Sequence, residues 1–234
     1  MLIAGIDEAG RGCVIGPLVI AGYLIKKEKL SLLRRLGVKD SKKLSAKKRE
    51  NIIYEIKTIA EKYTTINVEP REIDKVVDSK RKLHKLNRLE AKTMAQIIEK
   101  LKPDKAFVDA ADVNEKRFKQ HIQEYLTINP QIVSKHKADE IFPVVSAASI
   151  IAKVNRDNQI KKLRSKYGDF GSGYLSDKKT ISFLKKWIEN NSEYPNCVRK
   201  SWKPAKRIKN EKGTKQIELF RTNYNYSVNI TRKI

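Results

Sequence analysis

Cysteine is nearly absent from this chain, and its scarcity narrows the chemistry. Only Cys13 and Cys197 occur; they make no CxxC pair, and their spacing suits no zinc site. Both read as free thiols of a reducing compartment, a Cys13–Cys197 bridge being the alternative for a hyperthermophilic source. Long apolar runs are missing too. Nothing approaches the roughly 20 residues that a membrane span needs. Leu2–Ile6 is too short for a signal-peptide core and lacks a basic leader. The chain therefore reads as soluble and cytoplasmic, with no membrane partner. Acids are the third scarcity: 27 Asp and Glu face 51 Lys and Arg, a formal net charge of +24 over 234 residues. An excess of that size points to a partner bearing many phosphates, a nucleic acid. The plainer alternative is a heavily charged solvated surface, which ordinarily mixes both signs.

What is present is organised as an α/β chain. Leu2–Glu8 and residues 17–26 have the composition of strands joined through a glycine-rich turn, and the alternating, β-branched run 63–69 suggests a third. Helical spacing marks 28–36, 46–62, a segment opening near Pro70, and a long helix whose apolar side carries Leu83, Leu86, Ala91, Met94, Ile97, Ile98 and Leu101 before Pro103 stops it. Strands at 105–109 and 130–135 then alternate with helices near 114–126 and from Pro143 to about Lys166. Three early strands followed by alternation imply a mixed sheet flanked by helices. The glycines of YGDFGSGY break the long helix, and 177–190 and 203–211 read as further helices. We therefore expect a catalytic-type domain over 1–166, a C-terminal helical appendage over 167–211, and a polar tail over 212–234.

Four acids stand out by position. Asp7 and Glu8 end the first strand, Asp109 ends the strand KAFVD, and Asp139 lies between the last strand and the helix opened by Pro143. Ligands of open α/β sheets collect beyond the carboxyl ends of strands, so three segments could bring these carboxylates to one edge. Clustered carboxylates repel unless protonated or bound to cations, and an all-oxygen set favours Mg²⁺ or Mn²⁺ over zinc. The plainer alternative makes each acid a surface charge, a turn residue or a cap, Asp112 and Glu140 among them. Adjacent strand residues point to opposite faces, so Asp7 and Glu8 can share a site only where the strand ends or twists. The glycines match no nucleotide fingerprint: Ile15 stands at the third glycine of a G-x-G-x-x-G pattern, and Gly16 precedes Pro17 rather than Lys. They leave the backbone bare for close approach, with Arg11 available to a phosphate.

Six segments together resemble ribonuclease HII of the archaeal kind: GIDEAGRGCVIGP at 5–17, DSKKLS at 40–45, FVDAADV at 107–113, HKAD at 136–139, PVVSAASIIAKVNRD at 143–157 and GSGY at 171–174. The resemblance covers roughly residues 1–204. It implies a ribonuclease H-like mixed sheet and metal-binding, catalytic acids at Asp7, Glu8, Asp109 and Asp139, with Asp109 preferred to Asp112. It further implies a Gly10-Arg11-Gly12 turn that reads the ribose 2′-hydroxyl through its backbone, Tyr174 stacked on the following deoxyribose, and Lys42 and Lys43 on backbone phosphates. The implied reaction is two-metal-ion hydrolysis of RNA–DNA hybrids and of DNA duplexes containing ribonucleotides, leaving 5′-phosphate and 3′-hydroxyl ends. Leu175 replaces a proline common in relatives, which implies a looser tyrosine loop, and Cys13 replaces another. A monomer is the default state. The family's sliding-clamp motif is only half matched: Gln216 and Leu219 fit, whereas Thr222 and Asn223 occupy the aromatic positions and Tyr224 comes one place late. The basic run 199–212 reads as an extension of the phosphate-binding surface, and Trp202 as packing rather than base stacking.

Two other classes compete. A binding module without catalysis would keep the charge and not need the acids. A DNA nuclease on a similar scaffold would cut an all-DNA duplex.

Overall fold

The computed structural model describes residues 1–38, 46–80 and 83–211. Its centre is a five-stranded mixed sheet, β1 (Leu2–Ala9), β2 (Leu18–Lys26), β3 (Lys62–Val68), β4 (Lys105–Asp109) and β5 (Gln131–Lys135), in the order β3-β2-β1-β4-β5. β1 pairs antiparallel with β2 and parallel with β4, and β5 continues the parallel half. β1, β4 and β5 therefore end at one edge of the sheet. The helices are α1 (Leu30–Arg35), α2 (Ala46–Ile59), α3 (Pro70–Val77), α4 (Lys85–Leu101), α5 (Glu115–Gln123), α6 (Ala138–Ile141), α7 (Pro143–Tyr167) and α8 (Lys178–Asn190). Residues 203–211 are also helical. This is the mixed sheet flanked by helices that the strand and helix pattern implied.

Two cores sandwich the sheet. On one face Ile3, Val19, Ala21, Tyr23 and Ile25 meet Val144, Val145, Ala147, Ala148 and Ile151 of α7. On the other, Ala4, Ile6, Leu18 and Ile20 meet Met94, Ile97, Ile98 and Leu101 of α4 together with Phe118 and Ile122 of α5. Gly5 sets the closest of these approaches: a Cβ there would stand 2.2 Å from the carbonyl oxygen of Val144. A third cluster joins Val14, Ile15 and Ile160 to Phe170, Leu184, Ile188, Cys197, Val198 and Ala205, so the C-terminal segment packs on the glycine turn and the far end of α7.

Two local expectations need correction. The long helix begins at Lys85, not Leu83. His84 adopts left-handed φ 53°, which no helix continues through, and Leu83 is exposed. β1 does not stop at its acids either. It runs to Ala9, with Asp7 paired to Ala21 and Glu8 to Ile20. No helix of the described residues is long and apolar enough to cross a membrane.

Candidate active site

The parallel half of the sheet delivers the acids. Asp7 and Glu8 lie at the carboxyl end of β1, Asp109 is the last residue of β4, and Asp139 sits in α6 just beyond β5. Because β1 continues through its pair, the two side chains alternate faces. Asp7 falls on the α7 face and Glu8 on the α4 face, straddling the strand end.

Asp7 and Asp139 are 4% and 3% exposed. Burial first, then the Asp109 and Asp139 charges, push the Asp7 carboxyl up to about 7; the nearby Ser149 hydroxyl of α7 opposes this without making a full hydrogen bond. The backbone N–H of Glu8 donates to Asp7 Oδ1 at 2.7 Å. Glu8 is raised well above the usual carboxylate range by burial and by Asp7, Glu90 and Asp109, with Arg11 pulling the other way. Its Oε2 is buried with no hydrogen-bond partner. Asp109 Oδ1 accepts from the N–H of Ala138 at 2.9 Å, tying β4 to the start of α6, and the Ser146 hydroxyl donates to the Asp139 carbonyl.

These groups fit a hard cation. An orphaned carboxylate oxygen and carboxyls that resist ionisation are what a divalent ion would relieve, and every donor is oxygen. Among the described residues no three His, Cys, Asp or Glu side chains are grouped closely enough to hold a metal ion as they stand. The carboxylates are near enough to repel, not drawn together.

Asp112 separates from the set. It is 1% exposed and accepts from Arg117 Nε at 3.1 Å and Nη2, from the Asn114 N–H at 2.9 Å and from Asn87 Nδ2 at 3.0 Å. Burial raises its pKa, but these donors outweigh burial and hold it well below the ordinary value. It is neither a surface charge nor a metal candidate, but a buried acid fastening the loop after β4.

The turn after β1 is the second part of the candidate site. Gly10 has φ +83°, and a Cβ there would stand 2.8 Å from the Pro17 carbonyl oxygen, so the position requires glycine. Gly12 is exposed. The Arg11 side chain does not reach outward for a phosphate. Its Nε contacts Glu90 at 2.9 Å, and Nη2 donates to Asn87 Oδ1 at 2.8 Å and to the Ala111 carbonyl at 3.0 Å. Even with that partner, burial pushes Glu90 up to about 7.

The tyrosine loop closes onto this turn. The Gly173 carbonyl accepts from the N–H groups of Val14 at 2.8 Å and Ile15 at 3.2 Å. Asp177, which caps α8, accepts from the Ser172 N–H at 2.7 Å, and the Thr180 hydroxyl accepts from the Gly173 N–H at 3.1 Å. The Arg156 guanidinium of α7 lies 4.7 Å from the Tyr174 ring centre and donates to the Ser172 carbonyl. Leu175 packs on the third cluster, so the residue standing in place of proline is itself an anchor. Cys13 and Cys197 are free and buried, and burial pushes the Cys197 thiol up to about 12. Lys42, Lys43 and the clamp-like segment after Gly213 lie outside the described residues.

Sequence reasoning passed over three residues here. Glu90 had a signal: it falls among Leu86, Met94, Ile97 and Leu101 on the apolar stripe of α4, where a charge calls for a partner. Arg156 lay inside a quoted motif with nothing to mark it. Arg199 lay in the basic run read as phosphate-binding surface, yet it is fully buried. Other cations of that run are paired, Lys206 with Asp78 at 2.8 Å and Lys209 with Glu193. Trp202 packs against two of the cores.

Comparison with known proteins shows the family. The family model described as Ribonuclease HII matches residues 4–205. A ribonuclease HII of Thermococcus kodakarensis is 46% identical over 210 residues, which span 89% of this chain and 90% of that protein. The crystal structure of the ribonuclease H2 of Pyrococcus horikoshii superposes with a TM-score of 0.83 at 42% identity, covering 90% of this chain and 98% of that one. A ribonuclease HII from Archaeoglobus fulgidus, solved in complex with PCNA, gives a TM-score of 0.79 at 45% identity over 87% of this chain and 96% of its counterpart.

Proposed function

The chain belongs to the ribonuclease HII family and is a type 2 ribonuclease H acting on RNA–DNA hybrids, and from that premise we propose that it also cuts on the 5′ side of ribonucleotides embedded in duplex DNA, leaving 5′-phosphate and 3′-hydroxyl ends. The observation that carries the reading is the placement of Asp7, Glu8, Asp109 and Asp139 at one sheet edge, beside a glycine turn bare enough for a sugar to approach.

Asp7, Glu8, Asp109 and Asp139 would hold the divalent ions, Mg²⁺ or Mn²⁺. Bound there, such ions supply Lewis acidity to the scissile phosphate and lower the pKa of water. The protein's own groups do the rest. The paired orientation of Asp7 and Glu8 puts one carboxylate on each side of the β1 end. The backbone of Gly10, Arg11 and Gly12 meets the ribose, whose 2′-hydroxyl distinguishes RNA from DNA. Tyr174, steadied by Arg156 behind its ring, presents its other face to the next sugar. Lys42, Lys43 and the net charge of +24 supply affinity that is independent of sequence and falls with salt. The same reading makes the protein a soluble cytoplasmic enzyme that clears ribonucleotides left by DNA replication. A sliding clamp is proposed as partner of the C-terminal tail because the Archaeoglobus relative was solved with PCNA. Heat on titrating peptide 213–234 into the clamp supports that partnership, and its absence removes it.

The test is cleavage of a labelled DNA duplex carrying one ribonucleotide, with and without Mg²⁺ or Mn²⁺, beside an all-DNA duplex. A metal-dependent cut 5′ of the ribonucleotide is expected. Cleavage only of long hybrids would remove the single-ribonucleotide activity, and cutting of the all-DNA control would remove sugar recognition altogether.

A further inference from the structure

Arg199 is fully buried, and it comes from 183 to 189 residues downstream of the atoms it holds. Its Nε donates to the Gly16 carbonyl at 3.1 Å, Nη1 to the Arg11 carbonyl at 2.7 Å, and Nη2 to the Gly10 carbonyl at 2.6 Å and to Cys13 Sγ at 3.1 Å. Its own N–H donates to the Val14 carbonyl at 2.9 Å, and the Trp202 ring covers the guanidinium at 5.1 Å. Enclosing a guanidinium costs several kcal/mol before its hydrogen bonds are counted. An apolar side chain would avoid that cost but would leave the Gly10, Arg11 and Gly16 carbonyls without these donors, so the guanidinium fixes where those carbonyls point.

Peptide geometry gives that direction a consequence. No peptide of the described residues is cis, and in a trans peptide the C=O and N–H of one unit point in opposite directions. Arg199 draws the Gly10 and Arg11 carbonyls inward. The N–H groups of the same two peptide units, those of Arg11 and Gly12, must then face outward on the exposed side of the turn. They are the donors available to a sugar hydroxyl. Only the planar fork of arginine reaches these carbonyls at once; a lysine ammonium is a point donor on a flexible stem.

We propose that Arg199 is a positioning residue that sets the polarity of the 10–12 turn, carbonyls in and N–H groups out, so that the C-terminal segment determines discrimination between ribose and deoxyribose. This rests on the reading that the turn meets the ribose. Arg199 lies behind the turn and touches neither the acids nor the substrate.

The experiment measures binding without cleavage, in EDTA, of duplexes with one ribonucleotide or none. The wild type, Arg199→Lys, Arg199→Gln and Tyr194→Phe are compared. The last variant loosens the same segment by removing a hydroxyl that donates to the Ala205 carbonyl at 3.2 Å. Arg199→Lys and Arg199→Gln are expected to lose at least fivefold of the preference for the ribonucleotide duplex while binding all-DNA duplex within twofold of wild type. Tyr194→Phe keeps the preference. A second measurement needs no variant: the Arg11 and Gly12 amides of the wild type exchange hydrogen rapidly when free and are protected by the ribonucleotide duplex but not by all-DNA. Preference retained by both Arg199 variants, equal loss in Tyr194→Phe, or slow exchange of those amides in the free protein overturns the role of Arg199. A wild type with no preference at all sinks the ribose-reading turn itself.

Discussion

Replacing Asp7 by Asn has opposite effects on stability and on catalysis, and the size of the first follows from the structure. The Asp7 carboxyl ionises near pH 7 when folded, against an ordinary value of 3.8, because it is buried and faces Asp109 and Asp139. A folded pKa above the unfolded one means that the native state holds the extra proton between those two values, so ionisation erodes stability as pH rises from about 4 to about 7. At about 1.4 kcal/mol per pH unit the interval amounts to about 4 kcal/mol by pH 8, an upper bound since the acids share the repulsion. Asn keeps the oxygen that accepts from the Glu8 N–H and carries no charge. Asp7→Asn is therefore expected to be more stable than wild type at pH 8 without metal, by up to roughly 10 °C in melting temperature for a chain of this size. The gap closes toward pH 4. Added Mg²⁺ or Mn²⁺ stabilises the wild type by mass action and narrows the gap from the other side, while the variant gains little and cuts hybrid hardly at all. Melts across pH 4–8, with EDTA or with metal, read all of this. A variant no more stable than wild type at pH 8, or a gap that does not change with pH, would refute the electrostatic account of the site.

Three further outcomes can be checked alongside. Asp109→Asn is expected to abolish cleavage in a stably folded protein, whereas Asp112→Asn keeps cleavage and loses about 1–3 kcal/mol through weakened bonds to Arg117 and Asn114; the reverse pattern in activity and denaturation assays would exchange their roles. Arg11→Ala leaves Glu90 buried without its partner, so its melting temperature should fall further below wild type at pH 8 than at pH 6; an equal deficit at both pH values would show that Glu90 is not the cause. Gly5→Ala forces β1 and α7 apart against the 2.2 Å approach to the Val144 carbonyl and should cost several kcal/mol together with most of the activity, and a melting curve like that of wild type would refute the close packing.

The parts of this molecule that the sequence disclosed are those written in local pattern. Asp109 was legible because a short apolar run ends on it, and Asp7 because a longer one leads to it. Alternation and helical spacing marked all five strands and the long helices to within a few residues. Glu90 was within reach, since an acid on an apolar stripe is a local anomaly. Arg199 was not: among Arg199, Lys200, Lys203 and Lys206 nothing local distinguishes the one guanidinium that is buried from ammonium groups that are solvated. Besides Cys13 Sγ, its partners are the backbone carbonyls of Gly10, Arg11 and Gly16, and any residue would have supplied those. The inward turn of Arg11 was hidden for the same reason, its acceptors lying on α4 and after β4.

α7 carries a consequence of its own. Its 25 residues span about 37 Å. Ser149 near the start faces Asp7, Arg156 in the middle backs Tyr174, and Ile160 further on supports the cluster beneath the glycine turn. On the proposed function, chemistry and sugar recognition would thus be mounted on one rigid rod, and the interval between them would work as a ruler laid along the duplex. Such a ruler would select one phosphodiester at a fixed offset from the ribose, because a rigid helix does not let one part of the site slide past the other.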